Sequence, residues 1–196
     1  MENAYAFAGH RNNNFWPLSD YGNITLNELK EKPFSWFVDQ AKKKRDRPKS
    51  IMARFRESFP EVARLEPQNG LNVNLCLAIV LIELLRHVIV HDGGVVPDKS
   101  KFMKTVLEKA NLFNNGNPAD KYTSFISSYF GNEKFENTVS ILEVRVRSEI
   151  PFDVHVNLFD ILSGYLMAYA HLIFELLEEN LHKNLIQRKM QDANAD

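Results

Sequence analysis

The chain has 196 residues, long enough for one well-packed core and short for two. With 44% apolar and 25% charged residues it falls outside the disordered and fibrous classes. A net charge of −1, from 24 basic and 25 acidic residues, removes any chain-wide field for nucleic acid, so such a role needs a local patch. The single cysteine, Cys76, lies in the apolar run Leu75–Val80, which favours a small buried side chain over a nucleophile. Lacking a disulfide partner, it suits a reducing cytoplasm. Met1-Glu2-Asn3-Ala4-Tyr5 is not a basic stretch followed by an apolar one, so no secretion signal is expected. The most apolar run, Leu75–Leu85, is about half of a bilayer span and contains Glu83, so it is expected to be a core helix with no membrane partner.

In chain order, residues 1–24 are rich in Asn, Gly and aromatics and are expected to form an extended arm. A mainly α domain is expected over 25–190, a helical bundle carrying one short β-strand or hairpin before the last helix, with a disordered tail at 191–196. Thr25 followed by Glu28 is a capping box, which predicts a helix start. Further helices are predicted from Phe34 to Arg45 and from Pro48 through Ile51, Phe55, Val62 and Leu65, with Pro60 as a kink. After the turn Pro67-Gln68-Asn69-Gly70 comes a nearly all-apolar helix, Asn72 to about His91, closed by Asp92-Gly93-Gly94. Helices over Lys99–Leu112 and Ala119–Tyr129 follow. Alternation in Val139, Ile141 and Glu143-Val144-Arg145-Val146-Arg147 predicts a β insertion over about 137–150, ended by Pro151. A long amphipathic helix from His155 to about Met190 completes the chain.

The apolar helix presents Glu83, Arg86, His87 and His91 in its last turns, and charged groups are rarely buried without partners or purpose. The plainest explanation is a solvated helix end, its cations facing the negative end of the helix dipole. Glu83, His87 and His91 stand at i, i+4 and i+8, so one face offers a carboxylate and two imidazoles to a metal. No second motif supplies further ligands, so neither a metal nor another cofactor is expected. Arg86 and His91 are about 140° apart on an ideal helix. They form one site only through unwinding at Asp92-Gly93-Gly94 or through a second copy of the chain.

The segment Leu85-Arg86-His87-Val88-Ile89-Val90-His91-Asp92-Gly93-Gly94 resembles the R-x(4–6)-H motif at a helix end that marks the HEPN superfamily of helical-bundle ribonucleases and RNA-binding modules. The polar His87 after the arginine, the pair Ile89-Val90 before the histidine, the glycine turn and Glu83 one turn upstream extend the likeness. It is close over residues 71–96 and holds only in outline over 34–185. The resemblance implies metal-independent RNA cleavage in which the ribose 2′-hydroxyl attacks the adjacent phosphate. His91 is then the general acid or base and Arg86 holds the phosphate and its developing charge, with His87 and Glu83 in support. It also implies a homodimer in which two such segments face one cleft, a setting in defence or as a toxin, and an antitoxin or regulatory partner. The other readings are a non-catalytic RNA-binding or dimerisation module, and an interface in which Arg86 and His91 only stabilise the dimer.

Lys42, Lys43, Lys44, Arg45 and Arg47, with Lys49, Arg54 and Arg56, place eight cations against Asp46 between positions 42 and 56. Such a run either neutralises RNA phosphates or is a solvated interhelical turn. Phe15, Trp16, Tyr21, Trp36 and Phe37 either stack bases or pack on the bundle, packing being the commoner fate. His155, His171 and His182 sort into no site, and no phosphate loop, nucleophile elbow or Cys/His metal cluster is present.

Overall fold

A computed structural model describes residues 1–45, 49–113, 119–146 and 154–193. The fold is mainly α, with a short antiparallel hairpin ahead of the C-terminal helix, as the sequence predicts. The chain divides into two compact units: Met1–Leu65 together with the chain from Ala170 onward, and Glu66–Tyr169.

The first unit holds α1 (Glu2–Arg11), α2 (Leu18–Tyr21), α3 (Leu26–Lys30), α4 (Phe34–Lys43), α5 (Lys49–Ser58) and α6 (Pro60–Leu65). The arm expected over 1–24 is instead helical at Glu2–Arg11, with Tyr5, Ala6, Ala8 and Gly9 buried. Three alanines, an acid in the first turn and His10 and Arg11 in the last supply the helix preference that the Asn-rich stretch beside them masks. A Cβ on Gly9 would lie 2.5 Å from the Trp16 ring, so glycine is what lets α1 approach that indole. Trp16 stacks on Tyr5 at 5.0 Å and donates its indole N–H to the Tyr5 carbonyl. Phe15, Trp16, Tyr21 and Phe37 are therefore core, not exposed stacking platforms. The Thr25–Glu28 capping box forms in full. Pro60 divides the predicted continuous helix into α5 and α6, leaving Phe59 between them.

In the second unit α7 (Leu75–His91) is followed by α8 (Lys99–Lys109), α9 (Asp120–Ser127), β1 (Glu143–Val146) and β2 (Val154–Asn157). Asn74 caps α7 by accepting the Leu77 N–H at 3.0 Å, and Asp98 caps α8 by accepting that of Lys101 at 2.9 Å. Strand β1 pairs with β2 in the register Glu143–Asn157 to Val146–Val154. Residues 155–157, which the helical spacing assigns to the last helix, thus belong to its preceding strand. Pro151 and Arg147 lie outside the described residues. The last helix, α10 (Leu158–Ala193), gives Leu158–Tyr169 to this unit and the remainder to the other. It starts at Asn157, whose side chain accepts the N–H groups of Phe159 and Asp160. Helix continues to Ala193 through half of the expected disordered tail; 194–196 lie outside the described residues. By length and composition alone Leu158–Lys183 is apolar enough to cross a bilayer, with mean hydropathy 1.2 and 33% burial. Core helices pass the same test of length and composition, and Glu175, Glu178 and Glu179 interrupt its second half.

One buried polar pair joins the ends of the second unit. Glu66 is fully buried and accepts a hydrogen bond from the Tyr169 hydroxyl at 3.3 Å. The Glu66 backbone carbonyl accepts the first free amide of α7, from Leu75, at 3.0 Å.

Candidate active site at the end of helix α7

Helix α7 is buried over most of its length: Leu75, Cys76, Leu77, Ala78, Ile79, Val80 and Leu81 run consecutively without exposure, followed by Leu85 and Val88. Cys76 is buried with its Sγ 3.9 Å from the Ala110 carbonyl, the environment of a structural thiol. The helix then opens to solvent: Arg86, His87, Ile89, Val90 and His91 are exposed and Glu83 is half-buried. At about 100° per residue the outward side chains follow one another around the helix as Ile89, Arg86, Val90, Glu83, His87, His91.

Helical geometry persists through His91, and Asp92 is the cap residue. Unwinding therefore does not bring Arg86 and His91 together; they stand about 140° apart around the helix. His87 and His91 do meet, with ring centroids 4.7 Å apart and planes inclined by 48°. Val90, 60% exposed, lies between the Arg86 and His91 directions. Glu83 occupies the same face as the two imidazoles, one turn earlier.

The exit from α7 is held by backbone. Gly93 and Gly94 adopt φ of 64° and 80°, a region that side chains with a Cβ rarely enter, and the Gly94 N–H donates to the Val88 carbonyl at 3.0 Å. The chain is then clamped to residues 137–139: Val96 N–H donates to Asn137 and Val139 N–H to Gly94, both at 2.8 Å. Residues 138–140 also pair with 129–131, through Gly131 N–H to Thr138 and Ser140 N–H to Tyr129, both at 2.9 Å. The N-terminal part of the expected β insertion is this clamp, separate from the β1–β2 hairpin. Sequence spacing gave no sign of it, because a single bridge on each side needs no periodic pattern.

The basic run of the first unit is less uniform than its sequence. Lys42 is exposed and pairs with Asp39 at 3.5 Å. Lys44 turns inward, its Nζ 2.6 Å from Asp20 and 5.3 Å from the centre of the Tyr5 ring. Asp20 also accepts the Tyr5 hydroxyl, whose pKa burial and that carboxylate push well above the ordinary tyrosine value. Lys43 and Arg45 are exposed and, with Ser19 and Gln40, line a cleft of about 360 Å³. Arg54 is spent on the carbonyls of Asn14 and Phe15 and on Glu57. Arg47 lies outside the described residues. Lys44 and Arg54 are thus structural, which leaves Lys42, Lys43, Arg45 and Lys49 as the exposed cations among those described.

No protein-family model, curated protein or solved structure matches the chain. Among the described residues no group of three or more His, Cys, Asp or Glu side chains is placed to hold a metal ion.

Proposed function

We propose that the chain is a metal-independent RNA endonuclease of the HEPN type, with its active groups at the open end of α7. Arg86 holds the scissile phosphate and offsets its developing charge, since a guanidinium stays ionised and its fork matches phosphate oxygens. His91 moves the proton, removing it from the 2′-hydroxyl or delivering it to the leaving 5′-oxygen. His87 supports His91 by ring contact, and Glu83 lies behind both. The products are a 2′,3′-cyclic phosphate and a free 5′-hydroxyl.

The observation that carries this reading is the exposure of Arg86, His87 and His91 together at the end of a helix whose first seven residues are buried. One imidazole does not readily serve both ends of an in-line displacement, so two copies of the chain facing one cleft complete the proposal. The exposed apolar residues Ile89 and Val90 on α7 and Leu166 and Met167 on α10 suit such a homodimer. Lys42, Lys43 and Arg45 of the first unit are a separate set of cations for RNA phosphates. The setting is cytoplasmic, as a toxin or defence effector restrained by an antitoxin or another regulatory protein.

The wide separation of Arg86 and His91 around a regular helix favours a second reading, a non-catalytic RNA-binding or dimerisation module. Arg86→Ala, His91→Ala and the double charge reversal Lys42→Glu/Lys43→Glu separate the two in RNA-cleavage and fluorescence-anisotropy assays. An enzyme loses cleavage in the first two and keeps most of its RNA affinity in His91→Ala. A binding module cleaves nothing in any form and loses affinity mainly in the charge reversal. Sedimentation of the wild type as a strict monomer at micromolar concentration would remove the two-copy site.

A further inference from the structure

We infer that His87 and His91 together form a chelating site for a borderline transition-metal cation of the Zn²⁺ and Cu²⁺ class. The inference does not rest on RNA cleavage, and the two roles exclude one another at any instant, because an ion on His91 occupies the ring nitrogen that would move the proton. Residues four apart on a helix are neighbours on one face, and neutral imidazole is the commonest protein ligand for these ions. Two features turn spacing into a site. Helix α7 is regular through His91, so that ring is held in the last turn and lies 4.7 Å, centroid to centroid, from His87. Both side chains are exposed, so an ion reaches them without the opening of packed structure.

The local field has the right sign. The C-terminal end of a helix carries roughly half a negative charge, which favours a cation beside its last turn. Glu83 lies on the same face one turn earlier and Asp92 follows His91 directly, whereas Arg86 leaves the helix about 140° from His91. With no third protein ligand among the described residues, water fills the remaining positions. The ion is consequently bound loosely and exchangeably, unlike a structural zinc. Selectivity follows the ligand type: imidazole nitrogen takes Cu²⁺ and Zn²⁺ and leaves Mg²⁺, which needs oxygen donors.

The test is a titration of chelator-stripped full-length protein with Zn²⁺, followed by the histidine ring resonances in NMR and by calorimetry, with Mg²⁺ in parallel. The expected result is saturable binding of one Zn²⁺ per chain, with the His87 and His91 rings shifting together and no response to Mg²⁺. His87→Ala and His91→Ala each weaken binding by about tenfold or more, while circular dichroism reports an unchanged fold. Ring shifts confined to His171 and His182 on α10, where His171 lies 3.4 Å from Glu175, would overturn the proposal. So would the absence of any Zn²⁺ shift at His87 and His91 in the wild type, a reading that does not depend on either variant.

Discussion

Helices α7 and α10 are both long and rich in leucine and isoleucine, yet they are covered to different extents. Helix α7 is wrapped along its body, with Leu77 and Leu81 at 1% and 0% exposure, and opens at its end, at Arg86, His87, Ile89, Val90 and His91. Helix α10 buries Leu162, Tyr169, Ile173 and Leu177 on one side while Phe159, Met167 and Phe174 stand 55%, 72% and 64% exposed. Apolar composition alone does not distinguish a helix with neighbours on every side from one with an uncovered face. What differs is where polar groups interrupt. On α7 they arrive together, in the last two turns, which is why that end reads as a site. On α10 Glu175, Glu178, Glu179 and Lys183 are spread along the second half and pair locally, as Lys183 does with Glu179 at 3.8 Å.

The sharpest break in this comparison comes from truncating one side chain on each helix. Leu81→Ala on α7 should lower unfolding free energy by about 2–5 kcal/mol, the usual range for a buried leucine whose cavity does not collapse. Urea denaturation followed by circular dichroism measures it. Tyr169→Phe should cost about 1–3 kcal/mol in the same assay, since it takes a donor from the fully buried Glu66 carboxylate. A value near zero would mean that the buried pair contributes nothing to the second unit. Gly94→Ala should cost about 1–2 kcal/mol, because alanine at φ of 80° is strained, and the Val88 and Val139 backbone pairings at Gly94 should show faster amide exchange. Met167→Ala should change stability by no more than about 0.5 kcal/mol in the monomer, since its side chain touches mostly water. A much larger cost that grows with protein concentration would show that a second copy covers the α10 face.

Helix positions were legible in the sequence wherever local chemistry sets them. The Thr25 box, the Asn69-Gly70 turn and the Gly93-Gly94 stop each act through neighbours within a few residues. The α1 helix was hidden because Asn12-Asn13-Asn14 and Pro17 dominate the composition of the first 24 residues, while the alanines of 2–11 are too small to give a strong apolar stripe. The β2 strand was hidden for the opposite reason: Val154, Val156 and Leu158 alternate, but they run directly into a long helical pattern. Within the candidate site, exposure at the end of α7 followed from the run of polar residues. The Lys44–Asp20 pair, 24 residues apart, and the Glu66–Tyr169 contact, 103 apart, carry no local signature, so the inward turn of Lys44 emerges only from the fold.

The most direct measurement is incubation of purified wild-type protein and His91→Ala with total RNA in excess chelator, followed by analysis of the new RNA ends. The account predicts that wild type alone cleaves, leaving 2′,3′-cyclic phosphate and 5′-hydroxyl ends, while His91→Ala folds and sediments as wild type does. Equal cleavage by both proteins, or none by a folded wild-type dimer, would contradict it.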